Sequence, residues 1–175
     1  FRYPLETGEM FQAPEVILSY SSEGMNRLSQ NLHHCIRQHI CRGKYKEEIR
    51  PILINSWEAA YFDFTGDTIY ELAKAAKEVN IDMLVMDDGW FGNEFPRNDD
   101  HAGLGDWQVM KSKLPDGIPF LVKEAKKAGV KFGIWIEPEM VNPKSNLAQK
   151  HPDWIIRLPN RETYYYRNQL VLDPV

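Results

Sequence analysis

Residues 83–92 read MLVMDDGWFG, an apolar run that ends in two adjacent carboxylates, aromatic side chains and glycine. Apolar runs of this length are typical of strands that are covered on both faces of a parallel sheet. In α/β proteins, the polar residues just past the carboxyl ends of such strands build the ligand sites. A single Asp after a strand is usually an N-cap or a loop acid. Two in a row, Asp87 and Asp88, followed by Gly89 and Trp90, instead favour a site.

The segments around this run alternate between strand and helix patterns. Strands are predicted at residues 52–57, 83–87, 131–137 and 169–173, and helices at residues 67–79, 115–128 and 144–150. Because the two patterns alternate, we expect repeated βαβ units and a parallel sheet. A complete (β/α)8 barrel needs about 200 to 250 residues. The sequence therefore predicts an α/β fold, either a small open domain or the first half of a TIM (β/α)8 barrel with about four parallel strands.

The first fifty residues have a different pattern. A short strand is predicted at residues 16–20, after a loop that contains Pro4, Gly8 and Pro14. Apolar residues then recur at spacings of three and four from residue 24 to about residue 42, which predicts an amphipathic helix that Gly43 stops. No glycine-rich phosphate-binding motif follows the first strand of the α/β region, so a dinucleotide-binding fold lacks its main support.

Composition excludes several classes of partner. The formal net charge is −4 and basic residues are interspersed with acidic ones, which indicates neither nucleic-acid binding nor a membrane surface patch. The sequence contains no apolar stretch of about 18 residues, and its first residues lack the pattern of a signal peptide. We therefore expect a cytoplasmic protein with no membrane partner.

Two cysteines lie among three histidines near the predicted first helix. Cys35 and Cys41 are six residues apart, which places them on different faces of a helix and disfavours a local disulfide. The spacing to His33, His34 and His39 matches no zinc motif. We expect reduced thiols, no metal and no cofactor.

Each predicted strand of the α/β region ends beside a side chain suited to a polar ligand with an apolar face. These side chains are Trp57, Asp87 with Asp88, Trp135 with Glu137, and Asp173 with Arg167 just before its strand. Carboxylates accept hydrogen bonds from hydroxyl groups, and indole rings pack against the C–H face of a pyranose. The alternative for Trp57 and Trp135 is a core aromatic role, which weakens because both lie at strand ends. The pattern indicates a sugar site.

Four segments, in order, closely resemble the catalytic domain of bacterial α-galactosidases of glycoside hydrolase family 36. They are NSWEAAYFD at 55–63, MDDGWFG at 86–92, WIEPEMV at 135–141 and RNQLVLD at 167–173. The resemblance covers essentially the whole chain. It implies that residues 1–22 are the tail of an N-terminal β-sandwich, 23–50 a linker helix, and 51–175 the N-terminal half of the catalytic barrel.

The resemblance also implies roles for five residues as galactose-binding groups. Asp87 and Asp88 would bind the outer hydroxyls of the terminal galactose, Trp57 would lie beside its hydroxymethyl end, and Trp135 and Arg167 would line the pocket. The implied reaction is retaining hydrolysis of terminal α-galactosides such as melibiose or raffinose-type oligosaccharides. The implied assembly is a homo-oligomer, with a tetramer possible.

Retaining glycosidases need a nucleophile and an acid/base carboxylate. The resemblance implies that the nucleophile is the Asp of a Lys-Trp-Asp segment on the strand after 169–173, and no such segment occurs in this sequence. We therefore expect no catalytic residue within the chain, with Glu137 a structural acid, and no hydrolysis by the chain alone. Alternatives are an inactive sugar-binding or self-associating half-barrel, and an α-N-acetylgalactosaminidase or galactosyl-transferring relative.

Overall fold

The computed structural model describes residues 4–160 and 166–173 of the chain. The chain divides into two compact units, Phe1–Ile49 and Arg50–Val175. No helix in the described ranges is long and apolar enough to cross a membrane.

Within residues 4–49, the first unit has one helix, α1, at Met25–Cys35, which continues as a π-helical turn at Ile36–Ile40. The predicted helix is thus confirmed, but its end is not at Gly43. The backbone N–H of Cys41 donates to the carbonyl of Ile36 at 2.8 Å, and Cys41 itself is extended. This wider turn closes the helix before the glycine is reached.

The strand predicted at residues 16–20 does not form in residues 4–24. Val16, Leu18 and Tyr20 are largely exposed there. A strand needs a neighbour with which to exchange backbone hydrogen bonds, and the described part of this unit contains no second strand. That residues 1–22 belong to a β-sandwich stays a prediction, and residues 1–3 lie outside the described residues.

The second unit has a parallel sheet with helices, so the predicted α/β class is confirmed. Its strands, in spatial order, are β1 at Leu53–Asn55, β2 at Met83–Met86 and β3 at Lys131–Ile134. The helices are α2 at Trp57–Ala60, α3 at Gly66–Glu78, α4 at Gly117–Ala128 and α5 at Asn146–Lys150. A short 3-10 segment lies at Pro152–Trp154, and a turn with Arg167 in the left-handed region lies at Tyr166–Asn168.

The core of this unit forms where α3 packs against β2, and α4 packs against both α3 and β3. Every second residue of β2, Leu84 and Met86, is fully buried there, together with Ile69 of α3 and Leu121 of α4. Burying a side chain of this size contributes about 1.5 to 3 kcal/mol. Helix α3 begins at a capping box in which Thr65 and Thr68 satisfy each other's backbone N–H groups. The core thereby fixes the end of β2, from which Asp87 and Asp88 project.

The prediction that residues 169–173 form a fourth parallel strand is wrong. Within them, strand β5 at Leu170–Val171 pairs antiparallel with β4 at Met140–Val141, in a separate two-stranded sheet. A short apolar run specifies burial but not direction, and the segment at residues 140–141 offers the free backbone groups. The parallel sheet of the described residues has three strands, and the half-barrel stays a prediction.

Candidate functional site

A cavity of about 320 Å³ lies where the parallel strands end. Its lining residues are Trp57, Phe62, Asp87, Asp88, Asp100, Trp135 and Arg167. All five residues predicted as ligand-binding groups therefore meet in one cavity. Phe62 and Asp100 were not predicted.

The end of β1 positions two of the lining residues. The side chain of Asn55 accepts a hydrogen bond from the backbone N–H of Trp57 at 2.7 Å and donates to Asp87 Oδ2. Because this contact turns the chain into α2, Trp57 begins a helix and does not end the strand as predicted. The buried Ser56 adds a second link, since its Oγ accepts from the backbone N–H of Asp87 at 3.0 Å.

Asp88 lies at the back of the cavity in a buried ion pair with Arg97. The guanidinium donates from Nε to Oδ1 at 2.9 Å and from Nη2 to Oδ2 at 2.7 Å. A bidentate pair of this kind fixes the plane of the carboxylate. Asp88 is thus an oriented acceptor. Its backbone N–H also donates to Asp87 Oδ1 at 2.6 Å, which couples the two acids.

A tight turn directly after Asp88 depends on Gly89 and Lys113. Gly89 has φ +99°, and a Cβ there would lie 3.1 Å from Phe62 Cδ1 and 3.4 Å from the carbonyl oxygen of Arg97. The ammonium of Lys113 donates to the carbonyls of Phe62 at 2.6 Å and Gly89 at 3.2 Å. Burial lowers the pKa of Lys113, and the charges of Asp63 and Asp88 partly oppose that shift. Lys113 thereby links the loop at residues 89–113 to the cavity wall.

Aromatic rings form two sides of the cavity. Trp57 meets Phe62 edge to face with 5.0 Å between the ring centroids. Trp135 lies 6.5 Å from Phe91 in a stacked arrangement, and its carbonyl accepts from the indole N–H of Trp90 at 3.0 Å. Such fixed rings offer flat apolar faces at low entropic cost.

Arg167 completes the lining from an unusual backbone conformation. Arg167 and Asn168 both adopt positive φ, 53° and 55°, which is uncommon for residues other than glycine. The Arg167 Nε lies 3.9 Å from Asp100 Oδ2, and both side chains are partly exposed. His101 Nδ1 lies 3.1 Å from Asp100 on the other side. The cavity therefore carries a cation beside its carboxylates.

Glu137 and Asp173, the other acids predicted near the strand ends, do not line this cavity. Glu137 accepts a hydrogen bond from Gln169 Nε2 at 3.0 Å. Burial raises the pKa of Glu137 above its ordinary value, Glu139 raises it further, and Arg167 and the Gln169 hydrogen bond oppose the shift. The contact links the end of β3 to the segment before β5, and a structural role for Glu137 stays a prediction.

No cluster of three or more His, Cys, Asp or Glu side chains within residues 4–160 and 166–173 is arranged to hold a metal ion. The cavity instead combines carboxylate acceptors, one exposed guanidinium and indole faces. This combination suits a neutral polyhydroxylated ligand with an apolar face.

Sequence reasoning missed the groups that come from the long loop, above all Arg97 and Asp100. The loop has no hydrophobic periodicity from which their direction could be read. Its length alone was a signal, because loops this long in compact domains are usually functional.

Comparisons with known proteins match the chain along nearly its whole length. The protein-family model for Melibiase matches residues 10–175. The chain is similar to the bifunctional alpha-galactosidase/sucrose kinase AgaSK of Mediterraneibacter gnavus, with 59% identity over 99% of this chain and 18% of that protein. Its structure is similar to that of a variant of the GH36 alpha-galactosidase AgaA from Geobacillus stearothermophilus in complex with 1-deoxygalactonojirimycin. The TM-score is 0.81 at 49% identity, over 88% of this chain and 21% of that one.

A second AgaA variant structure, in complex with raffinose, matches with a TM-score of 0.78 at 49% identity, over 85% of this chain and 20% of that one. The chain thus spans about a fifth of the length of the relatives that it matches.

Proposed function

The chain belongs to the Melibiase family, and we therefore propose that the protein hydrolyses terminal α-galactosyl residues of oligosaccharides. The observation that carries the proposal is the cavity, in which Asp87, Asp88, Trp57, Trp135 and Arg167 meet. AgaA, which is 49% identical, was crystallised as a variant in complex with raffinose. Raffinose-type oligosaccharides are accordingly the proposed substrate class.

Galactose differs from glucose in the direction of one hydroxyl group. A cavity that makes buried hydrogen bonds to that hydroxyl rejects the epimer, because its own polar groups are left unpaired. Asp88 suits this role, since Arg97 fixes its orientation while each oxygen retains a second lone pair. The proposed role of Asp87 and Asp88 is therefore to accept hydrogen bonds from the sugar.

The carboxylates of the cavity are poorly suited to breaking the glycosidic bond. An acid/base residue must exchange a proton with the substrate, whereas both carboxylate oxygens of Asp88 are already engaged by the guanidinium of Arg97. Asp87 accepts from Asn55 and from a backbone N–H, and Asp100 faces Arg167 and His101. We place the nucleophile and the acid/base carboxylate outside residues 1–175 of this numbering.

The test is hydrolysis of an aryl α-galactoside by the whole protein and two variants. Trp57→Ala and Asp87→Asn are expected to raise KM about tenfold or more, as lost hot-spot contacts do. The matched control is Trp154→Ala, which removes an exposed indole outside the cavity and should leave KM unchanged. Unchanged KM in both cavity variants would refute the proposed site.

A substrate panel separates the α-galactosidase from its relatives. The whole protein is expected to prefer an aryl α-galactoside over the α-glucoside and the α-N-acetylgalactosaminide, and to release galactose from raffinose. Preference for the N-acetylated sugar, or galactosyl transfer to a second sugar in place of water, would identify one of the alternatives. The expected homo-oligomer and cytoplasmic location stay predictions, and sedimentation of the whole protein tests the first.

A further inference from the structure

Asn142 is a fully buried side chain with all its hydrogen-bonding capacity used. Its Oδ1 accepts from Arg97 Nη1 and from the backbone N–H of Leu104, each at 2.9 Å. Its Nδ2 donates to the carbonyls of Asp100 at 3.2 Å and Asn168 at 2.8 Å. A primary amide has two donor hydrogens and an oxygen with two lone pairs, so no capacity is left over.

Three of these four contacts, all except that with Leu104, lead to a residue that lines the cavity. Arg97 orients Asp88 through the bidentate ion pair. The carbonyl of Asp100 belongs to a lining residue, and that of Asn168 belongs to the neighbour of Arg167. The three lining residues come from the end of β2, the long loop and the segment before β5. We propose that Asn142 is the positioning residue that sets the geometry of Asp88, Asp100 and Arg167 together.

The backbone at Arg167 shows why such a residue is needed. Two successive residues other than glycine in the left-handed region, Arg167 and Asn168, cost free energy and persist only where surrounding contacts compensate. The hydrogen bond from Asn142 to the Asn168 carbonyl is such a contact. The site is buried, so an unpaired group there is more costly than at the surface.

The inference rests on the proposed function, because its readout is galactose binding. The informative variant is Asn142→Asp, which keeps the volume and the oxygen that Arg97 and Leu104 use. It replaces the donor to Asp100 and Asn168 with an oxygen that repels their carbonyls. We expect the inhibition constant of free galactose to rise about ten- to a hundredfold in the whole protein, as small misplacements of binding groups do.

Asn142→Ala, which also removes the acceptor for Arg97, should weaken binding at least as much. The control variant is Ser145→Ala. Ser145 is equally buried and donates to the Asn142 carbonyl, but it contacts none of the three lining residues. It should lower Tm without changing galactose binding. If Ser145→Ala weakens binding as Asn142→Asp does, the role is merely structural and the inference fails.

A double-mutant cycle with Arg167→Ala separates this inference from the proposed function. If Asn142 acts through Arg167, the double variant Asn142→Asp/Arg167→Ala should weaken galactose binding by less than the product of the fold-changes of the two single variants. A double variant whose fold-change equals that product would overturn the inference. Normal galactose binding by Asn142→Asp, together with weakened binding by Arg167→Ala, would overturn it as well. Normal binding by Arg167→Ala itself would count against the proposed galactose site.

Discussion

Arg97 holds both carboxylate oxygens of Asp88 at 2.9 and 2.7 Å, and the exposed fractions of the two side chains are 0 and 3%. Neither charge is solvated, so each depends on the other for its stabilisation. The pair joins the end of β2 to the middle of the long loop. The orientation of Asp88 and the fold of its neighbouring loop are therefore energetically coupled.

Asp88→Asn should destabilise the protein strongly, because it leaves the Arg97 charge buried without a counterion. We expect the free energy of unfolding to fall by about 3 to 5 kcal/mol, measured by urea unfolding followed by tryptophan fluorescence. The matched control is Asp100→Asn, which breaks the partly exposed contact with Arg167 and should cost about 1 kcal/mol or less. Equal losses in the two variants would contradict the buried-pair argument.

Lys113→Met should loosen the cavity wall without removing a lining side chain. The carbonyls of Phe62 and Gly89 lose their ammonium donor, which should lower the free energy of unfolding by about 1 to 3 kcal/mol. The control is Lys111→Met, which changes the same residue type at an exposed position two residues away and should leave the free energy of unfolding nearly unchanged. The measurement is again urea unfolding, and indistinguishable curves for the two variants would refute the linking role of Lys113.

Glu137 should give the stability of the protein a recognisable pH dependence. Its folded-state pKa is raised by burial and by Glu139, so the native state binds this proton more tightly than the unfolded state does. This contribution is present below the ordinary glutamate pKa, about 4.3, and is lost as the pH rises through the raised value. Glu137→Gln, which cannot titrate, should therefore gain stability relative to the natural protein across that window.

The measurement is Tm against pH for the two proteins. Glu139→Gln should remove part of the same slope, because the Glu139 charge is the second cause of the shift. Parallel curves for the natural protein and Glu137→Gln would show that Glu137 has the same pKa in the folded and unfolded states, which would contradict the prediction.

A polypeptide of residues 1–175 alone should not hydrolyse an aryl α-galactoside. The expectation follows from placing the nucleophile and the acid/base carboxylate elsewhere. Circular dichroism would verify that the polypeptide is folded. Hydrolysis by the folded polypeptide, abolished by substitution of Asp87 or Asp88, would show that the bond-breaking acids lie within the cavity after all.

The elements that sequence predicted well are those with a buried apolar stripe. Helix α3, expected at residues 67–79, is found at Gly66–Glu78, and α4, expected at 115–128, at Gly117–Ala128. Apolar periodicity marks the face that a helix buries against the core, so it predicted these two helices correctly. The family resemblance drawn from four motifs is also confirmed, by a match over residues 10–175.

The sequence did not reveal the direction in which distant strands pair, or which residues far apart in the chain contact each other. The run at residues 169–173 carried no mark of antiparallel pairing with Met140–Val141. Arg97 stands in a loop without periodicity, and its contact Asn142 lies 45 residues away. Strand ends, by contrast, meet at one edge of a parallel sheet, which is why Trp57, Asp87, Asp88 and Trp135 could be grouped in advance.

The charge balance of the cavity has a consequence for ligands that carry charge themselves. Arg97 neutralises Asp88 and Arg167 faces Asp100, whereas Asp87 is met by the neutral amide of Asn55 and a backbone N–H. The lining contributed by the described residues is thus left with an excess negative charge, which repels anions at short range. If the cavity binds galactose as proposed, galactose 6-phosphate and galacturonic acid should bind more weakly than galactose, because both are anions although their rings match it.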